Sequence, residues 1–164
     1  MFRILAAVLL LLPLAAARAS TDLTGLWLTR DHDGIMAVTD CDGGLCVEIA
    51  GVILDHPNDP TPTDYRGNSQ CHLRLIADAG QIGANLWKGH ILDPRNGRVF
   101  GVELHQDPNG NLALRGFLAV ALFGETQTWT RYNGTVPGDC RVLAPLPPDA
   151  KAAQYPSARK DPTR

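Results

Sequence analysis

The chain has 164 residues, a formal net charge of −2 at pH 7 and 45% hydrophobic residues. This length is sufficient for one domain with a hydrophobic core of its own. Nucleic-acid binding depends on a basic surface, and a weakly acidic chain is not expected to have one. We therefore expect no nucleic-acid partner.

The chain begins with MFRILAAVLLLLPLAAARAS, in which Arg3 precedes an apolar run and the small-x-small motif ARA at 17–19. This pattern predicts a cleaved secretory signal peptide over residues 1–19. The run is shorter than the ~20 residues of a membrane-spanning helix, and we expect no transmembrane segment in the mature chain. Loss of Arg3 and Arg18 leaves 13 basic against 17 acidic residues, a net charge of −4. We therefore predict a bacterial protein of the periplasm or a secreted one.

Short segments rich in Val, Ile, Leu, Trp and Thr follow one another through the mature chain. They predict strands at 25–30, 34–40, 46–54, 71–77, 85–92, 98–106, 111–121 and 126–132. The turn sequences between them include DHDG at 31–34, DGG at 42–44, DPRNG at 93–97 and DPNG at 107–110. Tight hairpins without crossover helices predict an all-β fold. The simplest form is a single up-and-down antiparallel β-barrel of about eight strands, over residues 20–144.

Two segments depart from the strand pattern. Residues 55–70, DHPNDPTPTDYRGNSQ, form a long loop rich in Pro and Asp, and loops of this length are commonly either functional or mobile. Residues 145–164 are Pro-rich and polar, so we predict a disordered tail after the barrel domain.

All four cysteines, Cys41, Cys46, Cys71 and Cys140, follow the predicted signal peptide. In an oxidising compartment an even count predicts two disulfides, although four cysteines allow three pairings. The turn sequence after Cys41 favours a four-residue hairpin loop, which would place Cys41 and Cys46 opposite each other within bridging distance. Their spacing and surroundings are untypical of a zinc site or a redox motif, so no metal is expected. The remaining pair would be Cys71–Cys140.

The two ends of the predicted barrel carry a matching pair of residues. Trp27 lies in GLWLT at the start of the first strand, and Arg131 ends TWTR on the last. The first and last strands of a closed meander are neighbours, so the flat guanidinium of Arg131 would stack on the Trp27 indole. The pair resembles the lipocalin-like (calycin) arrangement of Gly-x-Trp and a terminal Arg. We therefore interpret Trp27 and Arg131 as structural.

Four segments of the chain carry a resemblance to a known family. They are GLWLT at 25–29, the Cys41 and Cys46 pair with Leu45, WKGHILDPRNGRVF at 87–100, and LALRGF at 112–117 followed by GETQTWTR at 124–131. Together they resemble the bacterial secreted family called domain of unknown function 2147. The chain departs from that pattern at Asp42 and Val47, where the family has glycine, and at Glu48, where it has a basic residue. The resemblance implies a lipocalin-like barrel and no established activity.

The sequence offers little for catalysis. Ser69 lies in GNSQC rather than in a Gly-x-Ser-x-Gly elbow, and no Gly-rich phosphate loop is present. We therefore assign no catalytic residue and expect no cofactor. Glu103 and His105 share one face of the sixth strand, with Arg115 on the next strand. Inside the barrel these three would form a polar ligand anchor or an acid–base pair, and outside they would be a solvated surface.

An eight-stranded barrel is either filled by its own side chains or holds one small ligand. The apolar candidates for a ligand site are Trp27, Trp87, Phe100, Leu104, Leu114 and Trp129, and the polar candidates are Glu103, His105 and Arg115. Our first hypothesis is an exported, disulfide-stapled barrel that binds a small apolar or amphipathic molecule. The second is a non-catalytic envelope interaction or structural protein with a self-filled barrel. The third, with the least support, is a hydrolase that uses carboxylates or His105.

Overall fold

The computed structural model describes residues 21–118 and 124–146. The predicted signal peptide, residues 1–19, lies outside the described residues, and so do residues 147–164 of the predicted tail. The end of the seventh predicted strand, residues 119–121, also lies outside them.

The described residues form nine β-strands. They are β1 (Gly25–Leu28), β2 (Gly34–Cys41), β3 (Gly44–Leu54), β4 (Arg74–Gly83), β5 (Leu86–Leu92), β6 (Val99–Gln106), β7 (Leu112–Phe117), β8 (Glu125–Arg131) and β9 (Arg141–Leu143). Within this described part, no helix is long and apolar enough to cross a membrane.

Strands β1 to β8 form a closed antiparallel barrel in up-and-down order. Each strand pairs with the next along the chain, and β8 returns to pair with β1, where Trp27 lies opposite Arg131. Closure removes the unpaired edges that an open sheet of eight strands would expose. The prediction of an all-β, up-and-down antiparallel barrel of about eight strands is confirmed.

Strand alternation sends every second side chain into the barrel. On β6, Val102 and Leu104 are fully buried in the interior cluster, whereas Glu103 between them faces outward. Trp27 and Trp129 enter the same cluster from β1 and β8. Burying one such apolar side chain stabilises the fold by about 1.5–3 kcal/mol, so the apolar face determines the strand register.

A ninth strand and the chain after β8 pack against the outside of the barrel. β9 runs parallel to Val52–Leu54, the end of β3 that β4 leaves unpaired. Tyr132 and Leu146 pack with Leu28 and Ile35 in a second apolar cluster on the outer face. The sequence did not reveal β9, because three residues are too few to show a period. Leu146 belongs to the segment predicted as a tail, so packing continues into the start of that segment.

The β2–β3 hairpin is tighter than predicted. Its turn consists of Asp42 and Gly43, with φ of 45° and 84°, so Cys41 lies opposite Gly44 rather than opposite Cys46. An Asp-Gly pair is favoured at the two positive-φ positions of a two-residue hairpin turn. The disulfide forms diagonally, with the Cα atoms of Cys41 and Cys46 5.8 Å apart. The predicted pairing is confirmed, and the predicted four-residue loop is wrong.

Strand β4 occupies residues 74–83 rather than the predicted 71–77. Cys71 and His72 lie in a turn, with a φ of 58° at His72, and Cys71 is bonded to Cys140. The first half of β4 pairs with β3 and its second half with β5, with register shifts in both pairings. These shifts interrupt the alternation of inward and outward side chains along β4. The bounds predicted for this strand from the sequence were therefore wrong. The second predicted disulfide is confirmed.

Candidate ligand-binding site

The barrel interior is open at one end. A cavity of about 910 Å³ begins between the β1–β2 and β5–β6 turns and extends into the barrel. Its apolar wall is formed by residues of β2 to β8. They are Met36, Ile49, Val52, Leu75, Ile91, Phe100, Leu114 and Trp129. Small-molecule sites generally have volumes of about 300–1,000 Å³ and mostly apolar walls, so this cavity is large enough for one small ligand.

The opposite end of the interior is filled by side chains. Trp27, Leu104 and Leu112 are fully buried in the interior cluster and do not line the cavity. Leu23, just before β1, is buried with them, and its carbonyl oxygen accepts a hydrogen bond of 2.8 Å from Trp27 Nε1. The barrel interior is therefore filled by side chains at the end that contains Trp27, which we call the closed end, and open at the end that contains the cavity.

Arg131 completes the closed end together with Trp27. Its guanidinium carbon lies 3.8 Å from the centroid of the Trp27 ring, and its nitrogens donate to the carbonyl oxygens of Thr24 and Asp22. Burial lowers the pKa of Arg131, against the opposing effect of the Asp22 charge. Gly25 is required here, because its φ is 116° and a Cβ would lie 2.6 Å from Arg131 Nη1. The Gly-x-Trp motif and the terminal Arg are thus one structural unit.

We expect Arg131→Ala to lower the free energy of unfolding by about 3 kcal/mol. The change removes a partly buried cation–π contact and charge-assisted hydrogen bonds to two carbonyl oxygens. Urea unfolding measures the loss, and Arg98→Ala is the control, because Arg98 is exposed over Phe100 at 5.3 Å. Ligand binding should persist in the folded variant, since Arg131 does not line the cavity. A variant of unchanged stability that no longer binds would contradict the structural role.

Charged side chains surround the mouth of the cavity. The residues that line it there are Asp31, Asp33, Asp93, Arg95 and Glu125. Arg95 donates to Asp93 from Nε at 3.1 Å and from Nη2 at 3.3 Å. This contact lowers the pKa of Asp93 and raises that of Arg95, and the charge of Asp33 adds to the latter effect. With four carboxylates and one guanidinium among these residues, the rim is acidic.

The loop of residues 55–70 forms one wall of the mouth, through Pro62 and Gln70. Arg141 of β9 holds the first half of this loop with three hydrogen bonds of 2.8 Å. The acceptors are Thr61 Oγ1 and the carbonyl oxygens of Pro57 and Asp59. β9 therefore positions the mouth of the cavity as well as covering β3.

Asp64 organises the second half of the loop. Its Oδ1 accepts hydrogen bonds of 2.9 Å from the amides of Arg66 and Asn68. Burial raises the pKa of Asp64, but these hydrogen bonds and the charge of Arg66 outweigh it and hold the pKa below its usual value. The amide of Tyr65 donates to the carbonyl oxygen of Pro94 at 2.7 Å. The loop is thus joined to β9 by one half and to the β5–β6 turn by the other.

The structure separates the predicted apolar candidates into two groups. Phe100, Leu114 and Trp129 line the cavity. Trp27, Trp87 and Leu104 are buried in the interior cluster but do not line the cavity. The first group can contact a ligand in the cavity. The second group fills the interior between the cavity and the closed end of the barrel.

The predicted polar candidates, Glu103, His105 and Arg115, lie on the outer face of the barrel and do not line the cavity. Glu103 is 3.8 Å from Lys88 Nζ, and Arg115 donates to Thr126 Oγ1 at 2.9 Å. The described residues contain no group of three His, Cys, Asp or Glu side chains placed to hold a metal ion. Of the two arrangements that the sequence left open for Glu103, His105 and Arg115, the structure shows the one on the outer surface.

Several lining residues were not singled out from the sequence. They include Met36, Ile49, Leu75, Ile91 and Gln127. Ile91 shares the inward face of β5 with Trp87, so strand alternation could have identified it. Leu75 lies where the pairing of β3 with β4 changes register, and no simple alternation points to it.

A family model described as an uncharacterized protein conserved in bacteria (DUF2147) matches residues 25–131. The chain belongs to this family. The resemblance noted in the sequence is confirmed, and the matched span runs from the start of β1 to the end of β8, which is the closed barrel of this DUF2147 protein.

Among solved structures, the DUF2147 chain is similar to protein HP1028 from the human pathogen Helicobacter pylori, which is described as belonging to the lipocalin family. The TM-score is 0.56 and the sequence identity 19%, with 68% of this chain and 83% of that chain covered. This likeness shows a lipocalin-like fold. A comparison with curated proteins found no match.

Proposed function

We propose that this DUF2147 protein binds one small apolar or amphipathic molecule in the barrel cavity. The observation that carries the proposal is the cavity of about 910 Å³ at the open end of the barrel. A self-filled barrel would leave no open volume beside Phe100, Leu114 and Trp129. Here each of them borders the cavity with part of its surface, although Leu114 and Trp129 are otherwise buried in the interior cluster. Protein interiors are normally close-packed, because atoms that line a void lose dispersion contacts. An occupant would restore these contacts.

The distribution of polar groups favours a ligand with two unlike ends. The deeper wall of the cavity is apolar, whereas the rim carries carboxylates and the Arg95 guanidinium. A ligand would place its apolar part against Leu114 and Trp129 and its polar part at the mouth, in contact with the rim and water. Sites of this kind take most of their affinity from apolar burial and their orientation from a few polar groups.

The same proposal includes export to the periplasm or the cell exterior. Both disulfides, Cys41–Cys46 and Cys71–Cys140, are present in the structure. Disulfides of this structural kind form and persist in oxidising compartments and are rare in the bacterial cytosol. The predicted signal peptide over residues 1–19 supports the same location.

Native mass spectrometry of the full chain, expressed with its leader and purified from the periplasm without detergent, tests this proposal. We expect a discrete additional mass, relative to the denatured and non-reduced protein, that dissociates on collisional activation. If the protein is isolated empty, it should take up one molecule of N-phenyl-1-naphthylamine, an uncharged apolar probe. A bare monomer mass after incubation with this probe would contradict the proposal and favour the envelope interaction protein.

A further inference from the structure

A polar side chain, Gln127, lies on the inward face of the cavity. Along β8 the inward positions run from Glu125 at the rim through Gln127 and Trp129 to Arg131 at the closed end. Successive inward residues on a strand are roughly 7 Å apart, so Gln127 is one such step below the rim. It lies opposite Leu114 of β7, which also lines the cavity. Its half-buried amide therefore lies beside the apolar Leu114 and Trp129 and below the rim, within reach of a ligand.

The orientation of the Gln127 amide follows from its neighbour. Trp129 Nε1 donates a hydrogen bond to Gln127 Oε1 at 3.1 Å. An indole N–H can only donate, so the amide atom that faces it must be the oxygen. Nε2 of Gln127 then points away from Trp129 with two N–H donors. Neither has a hydrogen-bond partner among residues 21–118 and 124–146.

We infer that Gln127 selects the ligand, by donating a hydrogen bond from Nε2 to an uncharged oxygen acceptor such as a ketone, ester or amide carbonyl. This inference rests on the proposed binding function. A donor inside an apolar cavity discriminates between ligands, because a ligand without an acceptor leaves the donor unpaired when it displaces water. Trp129 holds the amide in place, so little side-chain entropy is lost on binding.

The negative charge of the rim favours a ligand whose acceptor is uncharged. Arg30 neutralises part of the charge of Glu125, at 3.6 Å, and Arg95 is engaged by Asp93. Asp33 keeps a carboxylate at the mouth and accepts a hydrogen bond of 2.6 Å from Thr29 Oγ1. An anionic ligand would pass and remain near like charges, which raises its free energy in the cavity. The ligand class is therefore an apolar molecule with a neutral carbonyl oxygen.

Two fluorescent probes of similar size separate this inference from the binding function. The first, 6-propionyl-2-(dimethylamino)naphthalene, carries a ketone whose emission shifts to the red on hydrogen bonding, and the second, N-phenyl-1-naphthylamine, carries no carbonyl. We expect Gln127→Leu to weaken the ketone probe roughly five-fold, the factor expected for one hydrogen bond, and to remove the red-shifted emission. Binding of N-phenyl-1-naphthylamine should be unchanged.

Two further variants make the result interpretable. Gln127→Glu keeps an acceptor for Trp129 but loses both donors, so it should weaken the ketone probe at least as much as Gln127→Leu. Thr128→Val, at the outward position of β8 next to Gln127 and opposite Ala113, does not line the cavity and should change neither probe. Equal effects of Gln127→Leu on both probes, or no effect on either, would overturn the inference and leave the binding function intact. Failure of the wild-type protein to bind either probe would overturn both.

Discussion

Gly116→Phe is expected to weaken binding of N-phenyl-1-naphthylamine by about ten-fold or more, a loss of at least ~1.4 kcal/mol, while the barrel stays folded. Gly116 lines the cavity and lies opposite Val102, which is fully buried in the barrel interior. A Cβ added there meets no heavy atom within 4 Å. The phenyl ring would therefore enter open space and occupy part of the ligand volume, without the strain that overpacking of a filled core produces.

Gly80→Phe is the matched control for this experiment. Gly80 is also a strand glycine at which an added Cβ meets nothing within 4 Å, but it lies opposite the outward-facing Lys88. Fluorescence titration should give the same affinity for Gly80→Phe as for the wild type. Equal binding by the Gly116 and Gly80 variants, both shown to be folded by circular dichroism, would place the ligand outside the cavity.

Removal of the Cys71–Cys140 disulfide is expected to have the largest effect on stability. The bond joins residues 69 positions apart, and the chain-entropy model gives about 4 kcal/mol for a loop of this length. The Cys41–Cys46 bond spans only 5 positions, for which the same model gives about 2 kcal/mol. Alanine is the suitable replacement, because Cys140 is fully buried and a serine hydroxyl there would need a hydrogen-bond partner.

Urea unfolding of the two double-alanine variants measures this difference, and each variant serves as the control for the other. The Cys71–Cys140 bond also joins the end of the 55–70 loop to the residue before Arg141, which holds that loop. Amide hydrogen exchange at Tyr65 and Asn68 should therefore rise in the variant without this bond. An equal loss of stability in both variants, with unchanged exchange in the loop, would show that the long disulfide does not hold the mouth.

The fold was largely predictable from local signals. Alternating apolar residues and Asp- or Gly-containing turns define hairpins that have few alternatives in an antiparallel meander, and Trp27 with Arg131 indicated where the first and last strands meet. Predictions failed where a tertiary contact changes the local pattern. The turn at Cys71 and the double pairing of β4 are such places, and the short strand β9 is another.

The candidate site was only partly predictable. Phe100, Leu114 and Trp129 were identified because large apolar residues on strands are the natural lining of a barrel. Gln127 was not identified, since a glutamine between Thr126 and Thr128 reads as an ordinary polar stretch until its inward position is known. Glu103 and His105 share a face by alternation, but alternation alone does not say whether that face is inside or outside.

By itself the sequence predicted the order of the eight barrel strands and the Cys41–Cys46 pair, because these depend on residue type and short-range spacing. The Cys71–Cys140 pair followed as the remaining one, and the contact of Trp27 with Arg131 followed from closure of the meander. Only the tertiary structure decided which end of the barrel is filled and which is open. That outcome depends on how side chains from β2 to β8 fill a shared volume, and no single strand carries this information. The same holds for the amide of Gln127, whose role follows from the neighbours that closure of the barrel brings around it.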